Sequence, residues 1–281
     1  MSNLVFDRRG SLPGPGLHAI LIGVSGYDHL QFESMAALGA SAPAKKFRSI
    51  AGKLRQLSGP AKSASDLAKL LVSDSDIWGV KLKTCRLLLS PALDGSDSEG
   101  LLVDPFASAV KASFENVAQA LAEWRDDCND DPDGAALFYF SGHGIQRSKG
   151  DAVMLLSDFL HGPAILSQAF DINGLYNGMA RSDPLFPNLP LQQTYFVDAC
   201  RADFEIFKKY ALPNSAPIFD AQLFGQDDRV APIYFASTPG HVTLALPGEG
   251  THFGRDLLKC LAGAGGDKIL DDSGEEYWAV T

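Results

Sequence analysis

No run of apolar residues in this chain approaches the roughly 18 needed to cross a bilayer. The opening stretch, Met-Ser-Asn-Leu-Val-Phe-Asp-Arg-Arg-Gly, lacks the apolar centre of a secretion signal. A soluble, cytosolic protein with no membrane attachment is therefore expected. Cysteine is sparse: four residues, at 85, 128, 200 and 260, none in a C-x-x-C pair. That argues against a zinc knuckle or a thioredoxin-type motif, and a cytosolic chain keeps such thiols reduced. Neither G-x-x-x-x-G-K-[ST] nor G-x-G-x-x-G follows the first apolar strand, which weighs against a nucleotide-binding domain. Cations are in the minority, 24 Lys and Arg against 34 Asp and Glu, for a net charge of −10. Scattered Lys and Arg on an acidic chain make poor contact with nucleic-acid phosphates, so no nucleic-acid partner is expected. The acid excess keeps a protein in solution and slightly favours neutral or basic partners.

What is present is ordinary globular composition: 281 residues, 46% hydrophobic and 21% charged, enough for a sizeable core in one α/β domain spanning 1–281. Apolar runs at 17–24, 84–89, 135–140, 193–197 and 233–237 read as strands, with a short one at 153–156. Between them, apolar residues at helical spacing predict helices over 62–72, 114–124, 171–180 and 251–261, with Asp171 as an N-cap. This alternation implies an α/β fold with a mostly parallel central sheet covered on both faces, an α/β/α three-layer arrangement. Working residues in such sheets gather at the carboxyl ends of the strands.

Two strand ends carry the chemistry. One runs Phe138-Tyr139-Phe140-Ser141-Gly142-His143-Gly144 and another runs Phe196-Val197-Asp198-Ala199-Cys200-Arg201. If these strands are parallel neighbours, His143 and Cys200 share one edge of the sheet. A free thiol with a pKa of about 8.5 is mostly protonated at neutral pH, so a nucleophilic cysteine needs a base beside it. An imidazole serves, first taking the thiol proton and then protonating the leaving amine. The backbone N–H groups of Gly144 and Cys200 are candidate oxyanion donors, each typically worth about 3 kcal/mol. None of this chemistry requires a metal or an organic cofactor. Cys85 and Cys260 sit inside apolar patterns and read as core.

The Ser-Gly-His-Gly box after one hydrophobic strand and Asp-Ala-Cys-Arg after the next resemble the caspase-like superfamily, nearer to paracaspases and bacterial caspase homologues than to animal caspases. Cys200 follows His143 by 57 positions, near the spacing of about 50 known between these residues in caspases. The Ile-Gly-Val-Ser-Gly-Tyr turn after the first strand and Phe-Ala-Ser-Thr-Pro-Gly at 235–240 fit the same pattern, over about 17–263. The resemblance implies a cysteine endopeptidase with a Cys200–His143 dyad, a protein substrate, and substrate contacts at Asp198, Ser25 and Ser237. It also implies an activating sensor or fused effector in a defence or cell-death pathway, and activation loops over 201–230. The alternative within the same resemblance is an inactive binding or scaffold module, distinguished by failure of a thiol reagent to label Cys200.

The resemblance implies that Asp198 lines the pocket for the residue before the cut (P1). In the superfamily an aspartate there goes with cleavage after arginine or lysine, since a buried carboxylate attracts a cation. The chain departs from the basic-specific pattern in two places. Leu57-Ser58-Gly59 leads to Ser63 where an acid is usual, with Asp66 three residues on, and 241–246 is uncharged. A basic P1 residue remains the expectation, with a neutral one next, while Asp198 as a purely structural carboxylate is the competing reading.

Other features have plainer readings. The acidic run at 126–131 lacks the glycine and terminal glutamate of a calcium-binding EF-hand loop and is expected to be a solvated turn. The stretch 94–104 reads as a mobile loop. Trp78, Trp124 and Trp278 have no common spacing and read as packing residues, as His161 and His241 read as structural. The final Glu-Tyr-Trp-Ala-Val-Thr reads as a strand, as if the chain were cut from a longer protein.

Overall fold

The computed structural model describes residues 2–30, 54–73, 79–91, 106, 109–146, 152–161, 164, 166–200, 202–203, 218–219, 227–237, 245–246, 249–264, 266–270 and 276–280. The run Leu-His-Ala-Ile-Leu-Ile-Gly-Val has no polar alternation because it is covered on both faces, as a central parallel strand must be. It forms β2 (Leu17–Val24), buried at every position. Its neighbours are β3 (Leu82–Ser90) and β4 (Ala135–Gly142), both parallel to it. Beyond β4 lie β8 (Gln192–Ala199) and β10 (Ile233–Phe235), again parallel. Strand β1 (Leu4–Asp7), absent from the sequence reading, pairs antiparallel with β3, giving a six-stranded sheet ordered β1-β3-β2-β4-β8-β10. All five long apolar runs expected to be strands are in it.

Helices cover both faces. Helix α1 (Pro60–Ser73) and α4 (His252–Leu261) lie on one side, where Ala64, Leu67 and Leu71 meet Ala19, Leu21, Leu137 and Tyr139. Helix α2 (Phe114–Asn129) and α3 (Ile172–Gly178) lie on the other, where Val117, Leu121, Trp124 and Leu175 meet Ile20, Ile22, Phe138 and Val197. The two sets alternate along each strand, so the three-layer α/β expectation holds. Asp171 caps α3 by accepting the Asn173 N–H at 2.8 Å. Trp124, wholly buried, donates its indole N–H to the His18 carbonyl at 2.9 Å and ties α2 to β2.

A second sheet, ordered β7-β6-β5-β9, continues past the carboxyl edge of the first. It consists of β5 (Gly144–Gln146), β6 (Val153–Leu155), β7 (Ala169–Asp171) and β9 (Ala202–Asp203). Chain order around β2 matters here. The connection through α1 leads to β3 on one side, and that through α2 crosses the opposite face to β4 on the other. The carboxyl ends of β2 and β4 therefore flank the point where the connections diverge, where open α/β sheets form a crevice.

The acidic run corrects its expectation. Residues 126–129 are the last turn of α2, and Asp127 and Asp131 are buried. Apolar spacing continues from Trp124 to Cys128, and the helix continues with it. Asp127 Oδ2 accepts from Arg86 Nη2 at 2.7 Å and Nε at 3.1 Å, while Oδ1 accepts from Arg9 at 2.6 Å. Asp131 accepts from Lys83 Nζ at 2.8 Å and from the Gly16 N–H at 3.0 Å, and lies 3.2 Å from His18 Nε2. Carboxylates at a helix C-terminus oppose its dipole, and these cations offset that penalty while locking α2 to β1 and β3. The expected loop at 94–104, the residues Trp78 and His241, and nearly all of 201–226 lie outside the described residues. At the C-terminus, β12 (Glu276–Val280) pairs with β11 (Gly266–Leu270), so the strand read there is present.

Removing one partner of a buried ion pair leaves the other charge stranded, at a cost of about 3–5 kcal/mol. Asp127→Ala should lose that much in urea unfolding, while Asp130→Ala should change stability by no more than about 0.5 kcal/mol. Equal effects would contradict the buried assignment.

Candidate active site

Pairing between β4 and β8 runs in register to Gly142 opposite Ala199. Three residues later it resumes between β5 and β9, with Ile145 opposite Ala202 and Gln146 opposite Asp203. The offset is 57 on both sides, so the register sets His143 opposite Cys200 at the edge where the two sheets part. Cys200 is half-buried, whereas Cys85 and Cys128 are wholly enclosed and burial pushes both thiols up, Cys85 to about 12. Gly144 is required at its position. A Cβ there would lie 2.4 Å from the Cys200 carbonyl oxygen and 2.9 Å from the Ala199 Cβ. Backbone can approach backbone this closely only without a side chain.

His143 is held at three points, the first being its carbonyl, which accepts the Leu155 N–H at 3.0 Å. Its N–H donates to the Tyr27 hydroxyl at 2.7 Å, and its Nε2 lies 2.7 Å from the carbonyl oxygen of Arg55. Its ring packs against that of Tyr27, centroids 4.9 Å apart and tilted by 42°. A carbonyl can only accept, so Nε2 carries the hydrogen and Nδ1 keeps the lone pair. Burial disfavours the imidazolium and pushes the pKa down to about 4, although the Arg55 carbonyl works in the opposite sense. The ring is therefore a neutral base throughout the physiological range.

Asp198 lies almost wholly buried, one residue pair before this edge and opposite Ser141. Its Oδ2 accepts hydrogen bonds from Tyr139 Oη and Ser141 Oγ, both at 3.0 Å, and from Thr251 Oγ1. Its Oδ1 has no partner among the described residues. Desolvation raises its pKa, and the three hydroxyl bonds only partly counter that. Thr251 is also the N-cap of α4, accepting the Gly254 N–H at 3.0 Å, and its own N–H donates to Ser63 Oγ at 2.9 Å. Ser63 is in the first turn of α1, so two helix N-termini converge beside the carboxylate. Gly59 (φ 111°) and Gly250 (φ 83°) allow the convergence, since a Cβ on Gly59 would lie 2.8 Å from the Gly250 carbonyl carbon.

Ser25 and Ser237, also singled out from the sequence, have partners of their own. Ser25, fully buried, accepts the Ala61 N–H of α1 at 3.0 Å. Ser237 Oγ donates to the Ala199 carbonyl at 3.0 Å, steadying the residue before Cys200. Asp66 is on the outer face of α1 between Lys62 and Lys69, away from the cluster that Ser63 joins. His161 stacks on His29 with centroids 5.3 Å apart. No group of three or more potential metal ligands occurs among the described residues, and no helix among them is long and apolar enough to cross a membrane.

The caspase domain family matches residues 18–273, from the second residue of β2 to beyond α4. The chain belongs to this family. Caspase domains are typically cysteine peptidases, and the two strand ends described above fall within the match. No curated protein matches the chain. Several residues of this caspase domain's site escaped the sequence reading. Tyr27 is in the turn after the first strand, where only the turn as a whole carried a signal. Thr251 reads from the sequence only as the first residue of the last helix, and its contact with Asp198 joins segments 53 positions apart. The Arg55 carbonyl is a main-chain group, to which residue identity gives no clue.

Nitrogen-15 NMR of the imidazoles should find His143 neutral and protonated on Nε2 at pH 6. A midpoint at or above 6.5, or a proton on Nδ1, would contradict this geometry. Gly144→Ala should displace the Cys200 main chain, and a crystal structure of that variant superposing on the parent there would count against the close approach.

Proposed function

We propose that this caspase domain is a cysteine endopeptidase acting through Cys200 and His143. The observation that carries the reading is the common register on both sides of the pair. In this mechanism His143 Nδ1 takes the thiol proton as Sγ attacks the carbonyl carbon of the scissile bond. The N–H groups of Gly144 and Cys200 hold the resulting oxyanion. His143 then gives its proton to the leaving amine, the C–N bond breaks and a thioester remains. A water molecule, deprotonated by His143, attacks the thioester. The carboxyl product leaves, and the thiol recovers its proton. A neutral imidazole suits this cycle, because a histidine already protonated could not accept the thiol proton.

Asp198 is the selector for a basic P1 residue. A carboxylate with a raised pKa, one oxygen of which has no partner among the described residues, gains from a guanidinium or ammonium, whose charge and donors offset its desolvation. Ser63 stands where basic-specific relatives carry an acid, so a single carboxylate does this work with hydroxyls around it. Ser25 and Ser237 serve the substrate cleft from behind, fixing the start of α1 and the strand end before Cys200. The substrate is a protein, in a cytoplasmic setting and a bacterial defence or cell-death pathway, with a sensor or effector domain as activating partner.

Fluorogenic peptides varied at P1 test both parts. Cleavage after arginine or lysine should occur, and Cys200→Ala should abolish it. Asp198→Ala should cut kcat/KM for arginine substrates by about 10²-fold or more while sparing neutral ones. Cleavage that persists in Cys200→Ala would overturn the dyad. An unchanged arginine preference in Asp198→Ala would return that residue to a structural role. No cleavage of any peptide would favour a binding or scaffold module.

A further inference from the structure

The contacts of His143 raise the question of what fixes its partners. The Arg55 carbonyl belongs to 54–59, a stretch outside any helix or strand. The next residue supplies the anchor. Gln56 Nε2 donates to the Tyr27 carbonyl at 2.8 Å, and Gln56 Oε1 accepts the Tyr27 N–H at 2.8 Å. The side-chain amide thus pairs with both main-chain groups of Tyr27 as a neighbouring strand would. The Leu57 N–H adds a bond to the Ser25 carbonyl at 3.0 Å, and buried Leu54 secures the other end.

This closes a ring of contacts. The imidazole Nε2 meets the Arg55 carbonyl, Arg55 is joined to Gln56, Gln56 clamps Tyr27, and the Tyr27 hydroxyl accepts the His143 N–H. The Nε2 and N–H contacts of His143 are therefore linked through one amide. We infer that Gln56 is a positioning residue for the reaction, holding the Arg55 carbonyl where it fixes the His143 tautomer with its proton on Nε2 and its lone pair on Nδ1. The inference rests on the Cys200–His143 reading. A loop freed from the clamp lets the carbonyl swing away, the Nδ1–H tautomer becomes populated, and in that form the nitrogen that should accept the thiol proton already carries one. Misplacement by about 1 Å of groups remote from the reacting bond can cost on the order of 10²-fold in rate.

Gln56→Met keeps the length and packing of the side chain and removes both hydrogen bonds. The full chain carrying it should show kcat on the preferred peptide reduced about 10- to 100-fold, KM within about twofold of the parent, and an unfolding midpoint close to the parent. Nitrogen-15 NMR should show His143 as a mixture of tautomers. An unchanged kcat would overturn the inference, as would a loss of activity that tracks a fall in the unfolding midpoint, since that would mark a folding role. A parent protein that cleaves no peptide would sink the endopeptidase reading. Gln56 is then judged by NMR alone, and a pure Nε2–H tautomer in Gln56→Met would overturn its role too.

Discussion

Parallel pairing of β4 with β8 is the constraint on which the site depends. Side chains alternate between faces with a period of two, so a slip of one residue would reverse every side chain of one strand. Here each strand is buried on both faces by different partners. Phe138 meets Tyr195 at 6.0 Å on the α2 face, and Tyr139 and Phe196 pack on the face of α1 and α4. A slipped β8 would drive Asp198 into the aromatic α2 face, away from Tyr139, Ser141 and Thr251, and an unpaired buried charge is among the costliest defects a core can hold. Packing thereby fixes the register, and the register sets the cysteine opposite the histidine.

The same edge concentrates polar groups that the core excludes. Helices α1 and α4 both begin there, because in a parallel α/β sheet the chain returns to its helices from the strand ends. Thr251 serves the helix and the strand at once, capping α4 while donating to Asp198. Burial still prevails over three hydroxyl donors and raises the Asp198 pKa. At His143 burial acts in the opposite sense on the titration and keeps the ring neutral. One enclosed edge therefore holds a base that stays uncharged and a carboxylate that would gain from a cation.

Much of this was legible in the residues. The five central strands are continuous apolar runs with turn residues after them, and a buried parallel strand can hardly look otherwise. Asp171 announces a helix start by its side chain. Strand β1 is four residues long with mixed polarity, and its place is set by pairing with β3 rather than by a pattern of its own. The acidic run misleads because charge alone suggests solvent, whereas Arg86, Arg9 and Lys83, distant in sequence, meet it in the fold. The placement of His143 and Cys200 just past strand ends is readable because each follows an apolar run. The Arg55 carbonyl and the Gln56 clamp are not, since their partners come from loops whose meeting is a tertiary fact.

The central claim is that His143 activates Cys200, and the most direct measurement is the rate at which each thiol reacts with iodoacetamide near neutral pH, followed by peptide mass mapping. Cys85 and Cys128 are enclosed, and half-buried Cys260 on α4 serves as the internal comparison. The account predicts that Cys200 reacts fastest, and that His143→Ala slows it on the order of tenfold without altering Cys260. Equal rates at Cys200 and Cys260 in the parent protein, or a Cys200 rate indifferent to the loss of His143, would contradict it.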